Sequence, residues 1–184
     1  MKNLLNWFSR PKIEIELLYK GKDLGPLLYK GTQRASGYDI KALSIKKVLK
    51  SNGALVGIDK VDTFNEYFKE GTPFMVNPQN RILIGTGIKI NLPKGYEAEI
   101  RSRSSLPLNS GLIVANGVGT MDNDYLGEYM VSLINTSSTP VKIVRGQRIA
   151  QILFKKSLKI EISYVEETTR KTKRGTGGFG STGV

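Results

Sequence analysis

The chain has 184 residues, with 28 Lys and Arg against 16 Asp and Glu, a net charge of +12, and neither His nor Cys. Without imidazole or thiol it has no His general base, Ser-His-Asp triad, Cys nucleophile, disulfide or zinc site of the usual His/Cys kind. Acid–base chemistry falls to carboxylate, Lys or Tyr, and any metal is expected to be a hard, oxygen-liganded cation such as Mg²⁺. The length suits one domain. The charge suits nucleic acid, an anionic membrane or a small polyanion such as a nucleoside triphosphate without choosing among them, and the Lys residues are spread along the chain with no concentrated stripe to favour nucleic acid. No stretch approaches the roughly 20 apolar residues of a membrane span. Residues 1–11 are too interrupted for a signal-peptide core, so a cytoplasmic location is expected.

In chain order, apolar and polar residues first alternate at Ile13-Glu-Ile-Glu-Leu17, where Ile13, Ile15 and Leu17 share one strand face. Similar runs occupy 37–43, 81–90, 96–101, 111–114, 128–134, 141–144 and 149–154, separated by turn signals at Leu92-Pro-Lys-Gly95, Asn116-Gly117, Asn135 to Pro140 and Arg145-Gly146. Many short strands at this spacing predict an all-β sandwich or barrel. Over Asp59 to Glu70 the apolar Val61, Phe64 and Phe68 recur at helical spacing, which predicts a short helix capped by Asp59 or Asp62. After Val165 the chain turns basic and then Gly-rich, a composition unable to bury itself, so residues 166–184 are expected to form a mobile arm beyond a single domain spanning 1–165.

Three constellations carry potential chemistry. The Gly-rich tail suits a flexible linker; it also suits a phosphate clamp, with exposed backbone N–H groups, hydroxyls from Ser181 and Thr182, the Arg174 guanidinium, and Phe179 as a stacking surface for a base. Arg101-Ser-Arg-Ser-Ser-Leu-Pro107 reads as a polar loop or as a second phosphate grip. Asn116 to Glu128 reads as a β-hairpin, its Asp122 and Asp124 either solvated turn residues or the source of a carboxylate that orients water, with Tyr125 placed to pack on a sugar.

Taken together and in order, these segments resemble the five motifs of the trimeric dUTPase family. They are Ala35-Ser-Gly-Tyr-Asp-Ile40, Arg103-Ser-Ser105, Gly119-Thr-Met-Asp-Asn-Asp-Tyr-Leu-Gly-Glu128 with Asn116 six residues before Asp122, Gly146-Gln-Arg-Ile-Ala-Gln151, and Arg174-Gly-Thr-Gly-Gly-Phe-Gly-Ser-Thr-Gly183. The resemblance covers roughly 12–44 and 75–184. It implies an all-β jelly-roll (β-clip) barrel assembled as a homotrimer with shared active sites, hydrolysing dUTP to dUMP and pyrophosphate. That reaction limits uracil incorporation into DNA and supplies dUMP.

By the same resemblance Asp122 is the general base for water attack on the α-phosphorus, and Mg²⁺ is held mainly by phosphates and water with Asp39 assisting indirectly. Ser104, the Ser105 amide and Gln151 contact phosphates while Arg103 braces the site. Asn116, Gly119, Thr120 and Met121 read uracil. Tyr125 packs under the deoxyribose with Met130 close by, and Arg174, Phe179, Gly180, Ser181 and Thr182 close over the bound nucleotide. Ser102 and Ser105 depart from the family's second motif; Ser105 stands where glycine is usual, which matters if the backbone there needs positive φ. About two dozen extra residues, near 46–74, are expected as a surface insertion with a short helix, either a neutral decoration or a site for a protein partner. The N-terminal residues, with Trp7 and Phe8, carry no assignment.

Two alternatives remain at this stage. A dCTP deaminase shares the fold and an arginine, two serines and a leucine like Arg103 to Leu106, but depends on a glutamate where Ser132 stands here and usually has another aromatic in place of Tyr125. A dUTP-sensing or protein-binding module on the same scaffold is the other.

Overall fold

The computed structural model describes residues 11–21, 23–52, 55–56, 68, 72–178 and 181. Strands dominate: β1 Glu14–Leu17, β2 Leu28–Tyr29, β3 Tyr38–Lys41, β4 Ser44–Leu49, β5 Leu55–Val56, β6 Phe74–Val76, β7 Arg81–Gly85, β8 Ile88–Asn91 and β9 Tyr96–Arg101 precede helix α1 Ser105–Ser110. β10 Leu112–Val114, β11 Val118–Met121, β12 Met130–Asn135, β13 Val141–Ile143 and β14 Arg148–Lys156 follow it. The first five-stranded sheet has the order β10-β12-β7-β4-β5 and the second β11-β9-β14-β3-β2; two-stranded ribbons β1-β8 and β13-β6 complete the fold. Every pairing is antiparallel. The expected all-β, jelly-roll-like class is what the chain adopts.

Alternation explains the layering. Ile82 and Ile84 of β7 with Val131 and Leu133 of β12 point inward from the first sheet, while Ile40, Ala98, Ile100 and Ile152 point inward from the second, and all belong to one buried cluster. Asn135 is the polar exception at the end of β12. Its amide donates to the carbonyls of Val76 and Thr139, both at 2.8 Å, and its oxygen accepts from Ser137, so no buried polar atom of Asn135 is wasted.

Three segments differ from the sequence expectation or extend it. The Arg101–Pro107 loop becomes, from Ser105, helix α1. Pro107 lies in its first turn, where a missing N–H costs nothing, Leu106 is buried, and Gly111 closes the helix in the left-handed conformation at φ 71°. Ser105 is therefore helical; Gln79 alone among the described non-glycine residues has positive φ, so the serine at 105 brings no backbone strain. The Asn116-Gly117 turn is tight, with Gly117 N–H donating to Val114 O at 3.0 Å, but it is not a hairpin: β10 pairs with β12 and β11 with β9. The turn thus carries the chain from one sheet to the other, because long-range ladders outcompete the local one. The segment expected as an insertion begins inside β4, where Lys47 to Leu49 pair with Leu83 to Arg81 of β7. The helix expected over 59–70 lies outside the described residues except for Phe68, which is buried in the core cluster. Trp7 and Phe8 lie outside them as well. Among the described residues no helix is long and apolar enough to cross a membrane.

Candidate active site

β14 carries one extra residue. Arg148 stands opposite Lys41 and Ala150 opposite Ile40, leaving Ile149 as a bulge between them. Ile149 and Ala150 are consequently both buried, and Arg148 and Gln151, three apart, emerge on the same face. Asp39 is the β3 partner of Gln151, so the bulge delivers the Arg148 side chain to it.

The Asp39 carboxylate is held by two guanidiniums: Oδ1 lies 3.1 Å from Arg103 Nε and Oδ2 3.0 Å from Arg148 Nη1. Asp39 is buried, so both contacts compensate a charge removed from water. Arg103 also donates from Nη1 to the backbone oxygen of Arg148 at 3.1 Å, and the Arg148 guanidinium lies over Tyr29, 5.0 Å from its ring centre. Gln151 lies flat against Gly37: a Cβ there would meet Gln151 Cγ at 2.6 Å and Cδ at 2.7 Å. Ser104 and Ser105 start α1 beside this cluster, and Ser102 accepts the Val114 N–H at 2.8 Å, binding the end of β9 to β10.

A second feature lies along β11. Leu83, Ile100, Val114, Asn116, Gly119, Thr120, Met121, Tyr125 and Met130 to Ser132 enclose a pocket of about 200 Å³. Tyr125 is fixed there by its hydroxyl, which donates to Glu128 O at 3.0 Å, and its ring lies 5.9 Å from that of Tyr129. Tyr129 is fully buried; burial, and then the neighbouring charges of Tyr125 and Asp122, push its hydroxyl up to about 12. Asp122 is exposed just after Met121, and the backbone turns at once, Tyr125 N–H donating to Asp122 O at 3.2 Å.

The ladders measure how far apart these two features are. Met121 pairs with Ala98, while Asp39, Gln151, Arg101 and Val118 lie in one row across β3, β14, β9 and β11. Asp122 is thus four strand residues from that row, about 13 Å along the strands, and three strand spacings, about 14 Å, across them from Asp39. One chain does not bring Asp122 onto the Asp39–Arg103 cluster.

In comparisons with known proteins, the family model described as dUTPase matches residues 69–183. The chain is 39% identical over 176 residues to the deoxyuridine 5'-triphosphate nucleotidohydrolase of Wolbachia sp. subsp. Brugia malayi (strain TRS), covering 95% of this chain and 96% of that one. It is 49% identical over 110 residues to the protein of the same name from Hydrogenobaculum sp. (strain Y04AAS1), covering 60% of this chain and 76% of the relative. Its fold is similar to a solved Staphylococcus bacteriophage 80alpha dUTPase with dUPNHPP, at TM-score 0.70 and 20% identity over 94% of this chain and 99% of the other. The chain belongs to the dUTPase family.

Within this dUTPase-family chain, six residues expected at the nucleoside, Asn116, Gly119, Thr120, Met121, Tyr125 and Met130, line one pocket. Asp39, Arg103 and Gln151 meet in the charged cluster. Arg174 and Ser181 lie in an exposed turn, with Arg174 Nε donating to Gly177 O and Ser181 N–H to Gly178 O, both at 2.8 Å; Phe179, Gly180 and Thr182 lie outside the described residues. Sequence reasoning missed Arg148, whose signal was the break of alternation at Ile149-Ala150, and the apolar pocket walls Leu83, Ile100, Val114 and Val131. Among the described residues no group of three or more acidic side chains is placed to hold a metal ion.

Proposed function

We propose that this protein is a dUTP diphosphatase, releasing dUMP and pyrophosphate by water attack on the α-phosphorus. The observation that carries the reading is the pocket, where the residues expected at the nucleoside converge. Uracil differs from thymine by one methyl and from cytosine in its hydrogen-bonding edge, so a small pocket walled by the β11 backbone and the Asn116 amide discriminates by shape and by pairing. Tyr125, held to Glu128 O, offers a fixed ring under the sugar that leaves no room for a ribose 2′-hydroxyl. Ser132 in the pocket wall supplies a hydroxyl and no carboxylate, which favours hydrolysis over deamination.

Asp122 takes the proton of the attacking water. The rate depends on placing that water in line and on neutralising the phosphates. The Ser104 hydroxyl, Ser105 amide and Gln151 side chain receive the phosphate oxygens, and Arg103, fixed by Asp39, braces the site. Arg174, Ser181 and Thr182 close over the terminal phosphate while Phe179 covers the base.

Mg²⁺ suits this donor set as an ion carried by the triphosphate: both Asp39 oxygens already accept from arginine, yet each keeps a lone pair for a metal-bound water. When bound, it supplies charge neutralisation on the phosphates and so eases pyrophosphate departure.

Because Asp122 and the Asp39–Arg103 cluster of one chain are separated along and across the strands, a complete site is formed where Asp122 of one copy meets the Asp39 end of another, in a homotrimer. Beyond β14 the run Leu158, Ile160, Ile162, Tyr164 alternates like a strand, is 73–97% exposed and pairs with no described strand, which suits an arm lying on a neighbouring copy. Pyrophosphate release from dUTP, dCTP, dTTP and UTP with Mg²⁺ tests the reading: turnover confined to dUTP supports it, and equal turnover of dCTP or UTP overturns it.

A further inference from the structure

Lys46 is the extra residue of a second bulge. Ser44 pairs with Gly85 and Ile45 with Ile84, whereas Lys47 pairs with Leu83, so Lys46 is displaced from the ladder. Its ammonium lies 3.1 Å from Glu128 Oε2, in a pair whose side chains are only 20% and 12% exposed. The other Glu128 oxygen, Oε1, accepts the Gly87 N–H at 2.8 Å. Gly85 makes room for this arrangement: a Cβ there would run into the Lys46 Cε and lie 2.7 Å from Glu128 Oε1.

Glu128 ends the loop that begins at Asp122. Its backbone oxygen accepts the Tyr125 hydroxyl, and the next residue is fixed on both sides, Tyr129 N–H donating to Ile88 O at 2.9 Å and the Thr86 hydroxyl donating to Tyr129 O. The height of the Tyr125 ring over the pocket is therefore set by where the Glu128 backbone lies, and the Glu128 side chain is held from β4 through Lys46. Met130, opposite Gly85 in β12, lines the same pocket, so the ion pair is adjacent to the nucleoside wall without lining it.

We infer that Lys46 and Glu128 are positioning residues that set the discrimination between deoxyribose and ribose by fixing Tyr125. This rests on the reading of Tyr125 as the surface under the sugar. It gives the start of the 46–74 segment a role in specificity: an element of β4 reaches the nucleoside loop through a half-buried ion pair.

The test compares Lys46→Met, Glu128→Gln and Lys46→Arg with the unmodified protein. Two ratios are read: kcat/KM for dUTP over UTP, and affinity for non-hydrolysable imido analogues of dUTP over UTP. A loss of folded protein cancels in both. Loosening of a contact group by a fraction of an ångström is expected to lower each ratio by about tenfold in Lys46→Met and Glu128→Gln, with recovery in Lys46→Arg. Lys46→Met keeps the Glu128–Gly87 hydrogen bond and decides the matter if Glu128→Gln does not fold. Unchanged ratios in folded Lys46→Met, with dUTP turnover intact, overturn the inference alone. An unmodified protein that prefers the dUTP analogue but releases no pyrophosphate overturns the catalytic reading, and the binding ratio still decides the role of Lys46. An unmodified protein without preference between the analogues overturns both.

Discussion

Arg148 and Gln151 leave β14 on the same face because Ile149 is inserted between them, and that single residue assembles the charged cluster around Asp39. Removing the Arg148 head group leaves a buried carboxylate with one cation. Arg148→Met is expected to cost about 1–2 kcal/mol, below the value for a fully buried pair because the arginine side chain is 42% exposed. Urea unfolding measures it, and Arg148→Lys is expected to recover only part, lacking the delocalised guanidinium that lies over Tyr29.

Gly37 supports Gln151 by having no side chain. In Gly37→Ala the new Cβ displaces the flexible Gln151 side chain rather than backbone, so the melting temperature is expected to change little while kcat/KM for dUTP falls by about tenfold. Steady-state pyrophosphate release beside thermal unfolding separates the two effects.

The strands were legible in the sequence because half-buried strands alternate: Ile82 and Ile84, Ala98 and Ile100, Val131 and Leu133 each face inward at period two. The elements that escaped are those where local and long-range signals disagree. Pro107 and three serines read as loop, yet one buried leucine and a terminal glycine suffice for α1. Asn116-Gly117 signals a hairpin, but Val114 and Val118 find better partners on different sheets. Of the site, residue types and order were legible, whereas the separation of Asp122 from Asp39 follows only from strand pairing. Arg148 was hidden because a bulge, not spacing, aims it.

The described residues of the arm, 166–178 and Ser181, are exposed apart from a half-buried Gly177, and their hydrogen bonds are local. Removing 166–184 is expected to leave the unfolding midpoint unchanged and to lower kcat/KM for dUTP by about 10²-fold, since closure over the phosphates is lost. Equal activity of the truncated chain would contradict the clamp.

Tyr129 is buried with its hydroxyl lacking a hydrogen-bond partner among the described residues. Tyr129→Phe removes that unsatisfied group and is expected to stabilise the fold by about 1 kcal/mol at neutral pH. The pKa of this tyrosine rises from about 10 unfolded to about 12 folded, so between those values the unfolded chain has lost a proton the folded chain keeps. Stability from this group is complete below pH 10 and is lost as pH rises toward 12, by about 1.4 kcal/mol per unit. Urea unfolding at pH 8 and pH 11 is expected to show the drop in the unmodified protein and a smaller one in Tyr129→Phe.

The separation of Asp122 from the Arg103 cluster is tested most directly by mixing two inactive variants, Asp122→Asn and Arg103→Ala, and unfolding and refolding them together. Each alone is expected to lose dUTP hydrolysis by about 10²-fold or more, Asp122→Asn through loss of the general base and Arg103→Ala through misplacement of the phosphate contacts. If a site takes Asp122 from one copy and Arg103 from another, an equal mixture reassembles one intact site in about four, and about a quarter of the unmodified activity returns. A mixture as inactive as its components would contradict a site shared between copies.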